Sequence, residues 1–346
     1  MGYNSGMGMD VIGHDWAVRL LQRHIAGGKL RHAYLFTGMK GVGKRTLALR
    51  FAEAIACGSP IKPGNPCGKC RACSLIRVGT YPDLHLVSAK EVGGTLQVEQ
   101  VRELQRKLAL SPYEGHVRIA LLLRFQESST SAANALLKTL EEPPAHVVLL
   151  LTAQSAELLL PTIVSRCVRI DLRPVPTKRL ETSLKERGVP AEEARLLTAM
   201  AGGSPGRALA LAETPEAMKL HRQRLEEFMT LLAMNRGQRF RYAARFDRQT
   251  GGFKQISEAR RAAVEVIESW RPLLRGAMLM SLGAASDEDR TLEEHGAARM
   301  AEGVEAKSII RAIQATDITL EALARNANPR LAMEALMLDL PNLKSP

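Results

Sequence analysis

Four of the chain's five cysteines cluster as Cys57-x9-Cys67-x2-Cys70-x2-Cys73. Four thiolates with such paired close spacings can wrap a tetrahedral ion, Zn2+ above all. In Pro66-Cys67-Gly68-Lys69-Cys70 the glycine permits the tight turn that a metal knuckle needs, and Lys62, Lys69, Arg71 and Arg77 would offset the thiolate charge. A closed structural site is expected rather than a catalytic one, because all four thiolates are spent on the metal. The plain alternative is four free thiols that merely cluster. A redox Cys-x-x-Cys pair fits less well, since it leaves two cysteines unused.

A second group is Gly38-Met39-Lys40-Gly41-Val42-Gly43-Lys44, a G-x-x-x-x-G-K run between a predicted strand and a predicted helix. In that context Gly38, Gly41 and Gly43 let backbone N–H groups curl around phosphate, and Lys44 reaches the terminal phosphates. The next residue should be Ser or Thr, whose hydroxyl ligates Mg2+; it is Arg45. Thr46 is one residue late and ~100° further round the helix. Guanidinium offers no lone pair to a metal. Hydrolysis also needs an acidic residue at the end of a nearby strand. There the chain reads Leu123-Arg124-Phe125-Gln126, and Glu127 lies roughly 10 Å further on if the backbone stays extended. A degenerate phosphate loop, with Arg45 and Thr46 in its first helical turn, is expected to accept ATP or ADP without hydrolysing it.

The elements that must hold these groups alternate between strand and helix. Strands are predicted at Ala33–Phe36, Leu84–Val87, Val117–Leu123, Val147–Thr152 and Val168–Leu172. Helices are predicted at about Lys44–Ala56, Val98–Leu110 and Ser131–Glu141, the last stopped by Pro143-Pro144. This is the pattern of an α/β domain around a parallel sheet. After the linker Arg173-Pro174-Val175-Pro176 everything from Thr177 onward reads as helix. Breaks fall at Gly202-Gly203-Ser204-Pro205-Gly206, Thr214-Pro215, Gly251-Gly252 and Gly283.

The 346 residues, 45% hydrophobic and 24% charged, suffice for two or three domains and argue against a disordered chain. No apolar run approaches the ~18–20 residues that span a bilayer, and the polar, glycine-rich start is not a secretory signal. A cytoplasmic protein without membrane contact is expected. The net charge of +12 permits nucleic-acid binding without requiring it. Its densest patch is Arg236, Arg239, Arg241, Arg245 and Arg248, offset only by Asp247; it fits DNA, an acidic partner, or simply a solvated helix face. His24, His146 and His221 lack metal-spacing partners, and Trp16 and Trp270 are too isolated to stack bases.

Taken in order, these features resemble the clamp-loader branch of AAA+ proteins. The resemblance rests on His32-Ala33-Tyr34-Leu35-Phe36 before the phosphate loop, the inserted four-cysteine module, and Asn134-Ala135-Leu136-Leu137-Lys138-Thr139-Leu140-Glu141-Glu142-Pro143-Pro144. It continues in Ser165-Arg166-Cys167 and in Asn326-Ala327-Asn328-Pro329-Arg330-Leu331, and covers about residues 10 to 340. The polar, glycine-rich residues 1–9 are expected to be a flexible tail, and the resemblance implies an AAA+ P-loop domain at 10–173 with the zinc module at 57–73, a helical lid at 174–213 and a helical collar for oligomerisation at 214–346. It further implies that Arg166 is an arginine finger acting in trans on a neighbour's ATP, the one catalytic role in the chain. The missing hydroxyl and carboxylate point to the non-hydrolysing stator of a replication clamp loader, part of a DNA polymerase holoenzyme. A lid arginine one step after Gly-Ser-x is replaced by Gly206, with Arg207 out of register. The implied partners are gamma/tau motor and delta subunits in a hetero-oligomeric ring, with the sliding clamp and primed DNA reached through the assembly. An active gamma/tau-like ATPase and a zinc-containing nucleic-acid-binding regulator are the competing readings. In the terminal helix Leu331, Ala335 and Leu338, with Leu336 and Leu340 nearby, are expected to form an apolar face.

Overall fold

The computed structural model describes residues 9, 11–89, 94–246, 253–284 and 294–343. Of the expected tail only Met9 is described, and it is buried. Asp247, Arg248, Gly251 and Gly252 lie outside the described residues. Two compact units emerge: residues up to Leu180 together with Gly203–Gly206, and Glu181–Gly202 together with Arg207 onward.

The first unit runs α1 (Asp15–Ala26), β1 (Ala33–Thr37), α2 (Lys44–Ala56), α3 (Arg71–Val78), β2 (Leu84–Val87), α4 (Val98–Leu108), β3 (Arg118–Leu122), α5 (Thr130–Glu141), β4 (Val147–Thr152), α6 (Pro161–Val164) and β5 (Val168–Asp171). The strands form one sheet in the order β2-β3-β4-β1-β5, and every pairing is parallel. A parallel sheet must be covered on both faces, which is why its central strands read as continuous apolar runs. Alternate residues divide accordingly. Tyr34, Phe36, Ile119, Leu121 and Leu150 pack with Leu21, Leu47, Phe51 and Ile76 of α1, α2 and α3. Leu35, Ala120, Leu122, Leu149 and Leu151 face Val101, Leu104 and Leu136 of α4 and α5. Because β1 lies between β4 and β5, the chain leaves it at a reversal of strand order, where ligand crevices form outside the carboxyl ends of the strands.

Everything described after α7 (Thr177–Glu186) is helical: α8 (Ala191–Ala201), α9 (Pro205–Glu213), α10 (Pro215–Ala233), α11 (Arg236–Ala243), α12 (Phe253–Ser281), α13 (Glu294–Gly303), α14 (Ala306–Ala324) and α15 (Pro329–Asp339). The second unit is built around Trp270, fully buried and stacked on Phe228 at 4.5 Å between ring centroids. No helix among the described residues is long and apolar enough to cross a membrane.

The terminal helix corrects one expectation. α15 buries Pro329, Met333, Leu336 and Met337, while Leu331, Ala335 and Leu338 lie exposed at i, i+4 and i+7. The apolar residues expected to form one face divide between the core and the surface. The basic stretch is corrected too. Arg239 is buried and donates to the carbonyls of Leu231, Leu232, Met234, Leu340 and Pro341 at 2.7–3.2 Å. It knots the end of α10 to the end of the chain, leaving Arg236, Arg241 and Arg245 exposed.

Candidate functional site

The phosphate loop follows β1 directly and opens α2, as the sequence predicts. Gly38 has φ +137, and a Cβ there would meet the Leu172 carbonyl oxygen at 2.4 Å, so no side chain fits. Gly41 and Gly43 also lie at positive φ. Lys44 turns its Nζ onto the Gly38 and Met39 carbonyl oxygens, the latter at 2.8 Å. Burial pushes its ammonium down to about 8. Arg45 and Thr46 occupy the first turn of α2 and are exposed.

Two braces hold the loop that sequence reasoning missed. The buried His14 donates from Nε2 to the Val42 carbonyl oxygen at 2.8 Å. Burial holds its pKa below the usual imidazole value, leaving one ring proton for this bond. On the other side the Gly206 N–H donates to the Gly41 carbonyl oxygen at 2.8 Å, and the Ser204 hydroxyl to the Lys40 carbonyl oxygen at 3.2 Å. A Cβ on Gly206 would stand 2.9 Å from the Gly41 oxygen. The only signal for the first brace was a histidine between Gly13 and α1; the second joins residues too distant in sequence to read.

Past β3 the backbone does not stay extended. Arg124 adopts φ +50, its N–H donates to the Thr152 hydroxyl at 2.9 Å, and a 3-10 turn over Phe125–Glu127 folds the chain back. Glu127 therefore reaches Arg124, its carboxylate 2.9 Å from Nε. Where an acidic pair would hold a metal, Leu123 packs against the core and the carboxylate nearest in sequence is neutralised by Arg124.

Arg207, whose rotation toward the phosphate loop was left open by the sequence, is engaged within the second unit. It donates to the Glu268 carbonyl oxygen at 3.0 Å and lies 3.5 Å from His221 Nδ1. That carbonyl lacks its usual helical partner, because the residue four positions on is Pro272.

Arg166 stands in the turn between α6 and β5. Its Nη1 donates to the Thr162 carbonyl oxygen at 2.9 Å, and its Nη2 pairs with Glu141 Oε1 at 2.8 Å. Cys167 is half-buried, and burial raises its thiol to about 12, so it is chemically quiet.

The cysteine module joins the end of α2 to the start of α3. Cys57 follows α2, Cys67 sits in the knuckle, Cys70 caps α3 and Cys73 lies within it. All four Sγ atoms fall within 4.8 Å of one another, with Cys57 3.6 Å from Cys67 and 3.9 Å from Cys70. A tetrahedral zinc with ~2.3 Å bonds needs Sγ separations of about 3.8 Å, so the four thiols fit such an ion. The N–H groups of Lys69 and Cys70 point at Cys67 Sγ, and these bonds with the Ser59 hydroxyl lower its thiol to about 6, favouring the thiolate there, whereas burial raises the thiols of Cys57 and Cys73. Arg77 ties the module to α2, donating to the Gly68 carbonyl oxygen and pairing with the buried Glu53.

Comparison with known proteins finds relatives for the first unit. Residues 13–176 match the family model described as DNA polymerase III, delta subunit. With its sheet, phosphate loop and four-cysteine insert, the first unit is an α/β P-loop domain, followed by helices, that resembles the clamp-loader branch of AAA+ proteins. The chain is similar to the delta-prime subunit of bacterial DNA polymerase III. It is 39% identical over 184 residues to that subunit of Pseudomonas aeruginosa (52% of this chain, 56% of the relative). Against that of Bacillus subtilis it is 36% identical over 184 residues (53% and 54%). The tau subunit of Salmonella typhimurium is similar as well, 36% identical over 211 residues, 59% of this chain and 32% of tau. The chain thus spans about half the length of the delta-prime relatives and a third of tau.

Proposed function

We propose that the chain is a non-hydrolysing, delta-prime-type stator of a DNA polymerase III clamp loader. One observation carries this reading. The phosphate loop is intact through Lys44, yet Arg45 stands where the magnesium hydroxyl belongs and an internally paired Arg124 stands where catalysis needs a carboxylate. On this reading Gly38, Gly41, Gly43 and Lys44 hold ATP or ADP without turnover. Cys57, Cys67, Cys70 and Cys73 hold a structural Zn2+ that clamps α2 to α3; the ion supplies rigidity and no reaction step. Arg166 completes the ATP site of a neighbouring gamma/tau subunit, where an arginine finger in trans adds roughly 10³–10⁵ in rate. Residues 174–213 act as lid and 214–346 as collar in a ring with gamma/tau and delta subunits, in the cytoplasm. The ring reaches the sliding clamp and primed DNA.

Leu331 (60%) and Leu338 (58%) stand exposed two turns apart on α15, where a neighbouring collar would cover them. The test is co-purification with the other loader subunits, followed by ATPase assays of each alone and together. No turnover by the isolated chain, with DNA-dependent turnover by the assembly that falls at least a hundredfold in R166A, is the expected result. The similarity to tau favours one rival, an active motor subunit. Magnesium-dependent ATPase in the isolated chain would establish that rival instead.

A further inference from the structure

We propose that Glu141 is a latch on Arg166, holding the arginine in the free subunit and releasing it to a neighbour's nucleotide. This rests on the finger role given to Arg166 above. Both terminal nitrogens of the guanidinium are committed: Nη1 to the Thr162 carbonyl of its own turn, Nη2 to the Glu141 carboxylate at 2.8 Å. The first contact anchors the arm beside α6 and moves with it. The second joins it to a different element, the last turn of α5.

Glu141 is fixed there by the stop at Pro143-Pro144, within the Asn134–Pro144 motif that the loop and finger chemistry otherwise leave without a role. Anions are disfavoured at a helix C-terminus, where carbonyl oxygens already concentrate negative potential. A carboxylate in that position gains from an arginine partner. A triphosphate approaching Arg166 meets the same carboxylate with like charge, so the guanidinium cannot serve both. With Arg166 35% and Glu141 50% exposed, the pair is reachable by a neighbouring subunit and weak enough to exchange. Glu141 is a positioning residue: it sets how readily the finger engages and does not touch the reacting atoms.

The experiment is steady-state, DNA-dependent ATPase of the reconstituted loader carrying wild-type chain, E141Q, E141D or R166A, across ATP concentration and ionic strength. Breaking the latch in E141Q lowers the KM for ATP roughly two- to five-fold, the equilibrium worth of an exposed ion pair. The gap closes at saturating ATP and shrinks with added salt, and E141D, which keeps the charge, returns KM toward wild type. An unchanged KM in E141Q, or a fall in kcat parallel to that of R166A, overturns the latch while leaving the finger in place. Unchanged ATPase in R166A overturns the finger reading itself, and the latch with it.

Discussion

At the scale of single residues, Lys44 carries the clearest prediction. Its half-buried ammonium lies against two carbonyl oxygens with no carboxylate partner among the described residues, and burial lowers it to about 8 from a usual value near 10.5. The unfolded chain therefore holds this proton over a pH range where the folded chain has lost it, and Lys44's contribution to stability rises with pH between about 8 and 10.5. Phosphate binding runs the other way, because it needs the ammonium. Nucleotide affinity measured by titration calorimetry should be flat below pH 8 and weaken about tenfold per unit above it. The same titration with and without Mg2+ should give one affinity, because Arg45 offers the metal nothing. A strong magnesium requirement would count against the degenerate-loop reading. Arg239 makes a second residue-scale case. Arg239→Ala removes a donor from five backbone carbonyls, of which those of Leu231 and Leu232 keep a backbone N–H, and chemical denaturation should show a loss of about 3 kcal/mol or more.

At the scale of elements, the sheet was legible because parallel strands announce themselves. Val147–Thr152 is apolar at nearly every position, as burial on both faces demands, and its predicted bounds match β4. The phosphate loop was legible because glycine spacing is local chemistry. The turn after β3 was not. Nothing in Leu123-Arg124-Phe125-Gln126 announces a left-handed arginine, and an extended reading left Glu127 too far away to matter. The hydrogen bond to Thr152 across the sheet, with the return ion pair, decides that conformation. Helix α3 was likewise hidden, since eight residues beginning within a cysteine knuckle show little periodicity. Its dependence on the thiols is testable. Chelation of the metal should lower the thermal midpoint of the first unit by several degrees and loosen α3 in hydrogen exchange. Replacing Cys70 with Ser should do the same without chelator, whereas a chain indifferent to both would have no structural zinc.

At the scale of the whole molecule, net charge proved a poor guide. The +12 is dispersed among roles that have little in common: Arg239 inside the helical core, Arg124 and Arg166 each paired to a carboxylate. For the collar role proposed above, exposed apolar residues are the better guide. Leu331→Asp with Leu338→Asp leaves the buried face of α15 untouched, so folding by circular dichroism should be unchanged. Recovery of the ring by size-exclusion chromatography should fall at least tenfold, and full assembly by this variant would rule out α15 as a collar contact. The sequence did contain both leucines, yet the 3.6-residue period alone could not say which side of the helix the core would claim.

Arg207 and Pro272 also constrain the order in which mutations can arrive. With proline in place, losing Arg207 strips the Glu268 carbonyl of a donor that the helix cannot replace. If Pro272→Ala comes first, the restored N–H reaches that carbonyl, and the arginine becomes dispensable. One route between the two pairings passes through a damaged intermediate and the other does not, so substitutions at 207 and 272 should be strongly epistatic although the positions lie 65 residues apart.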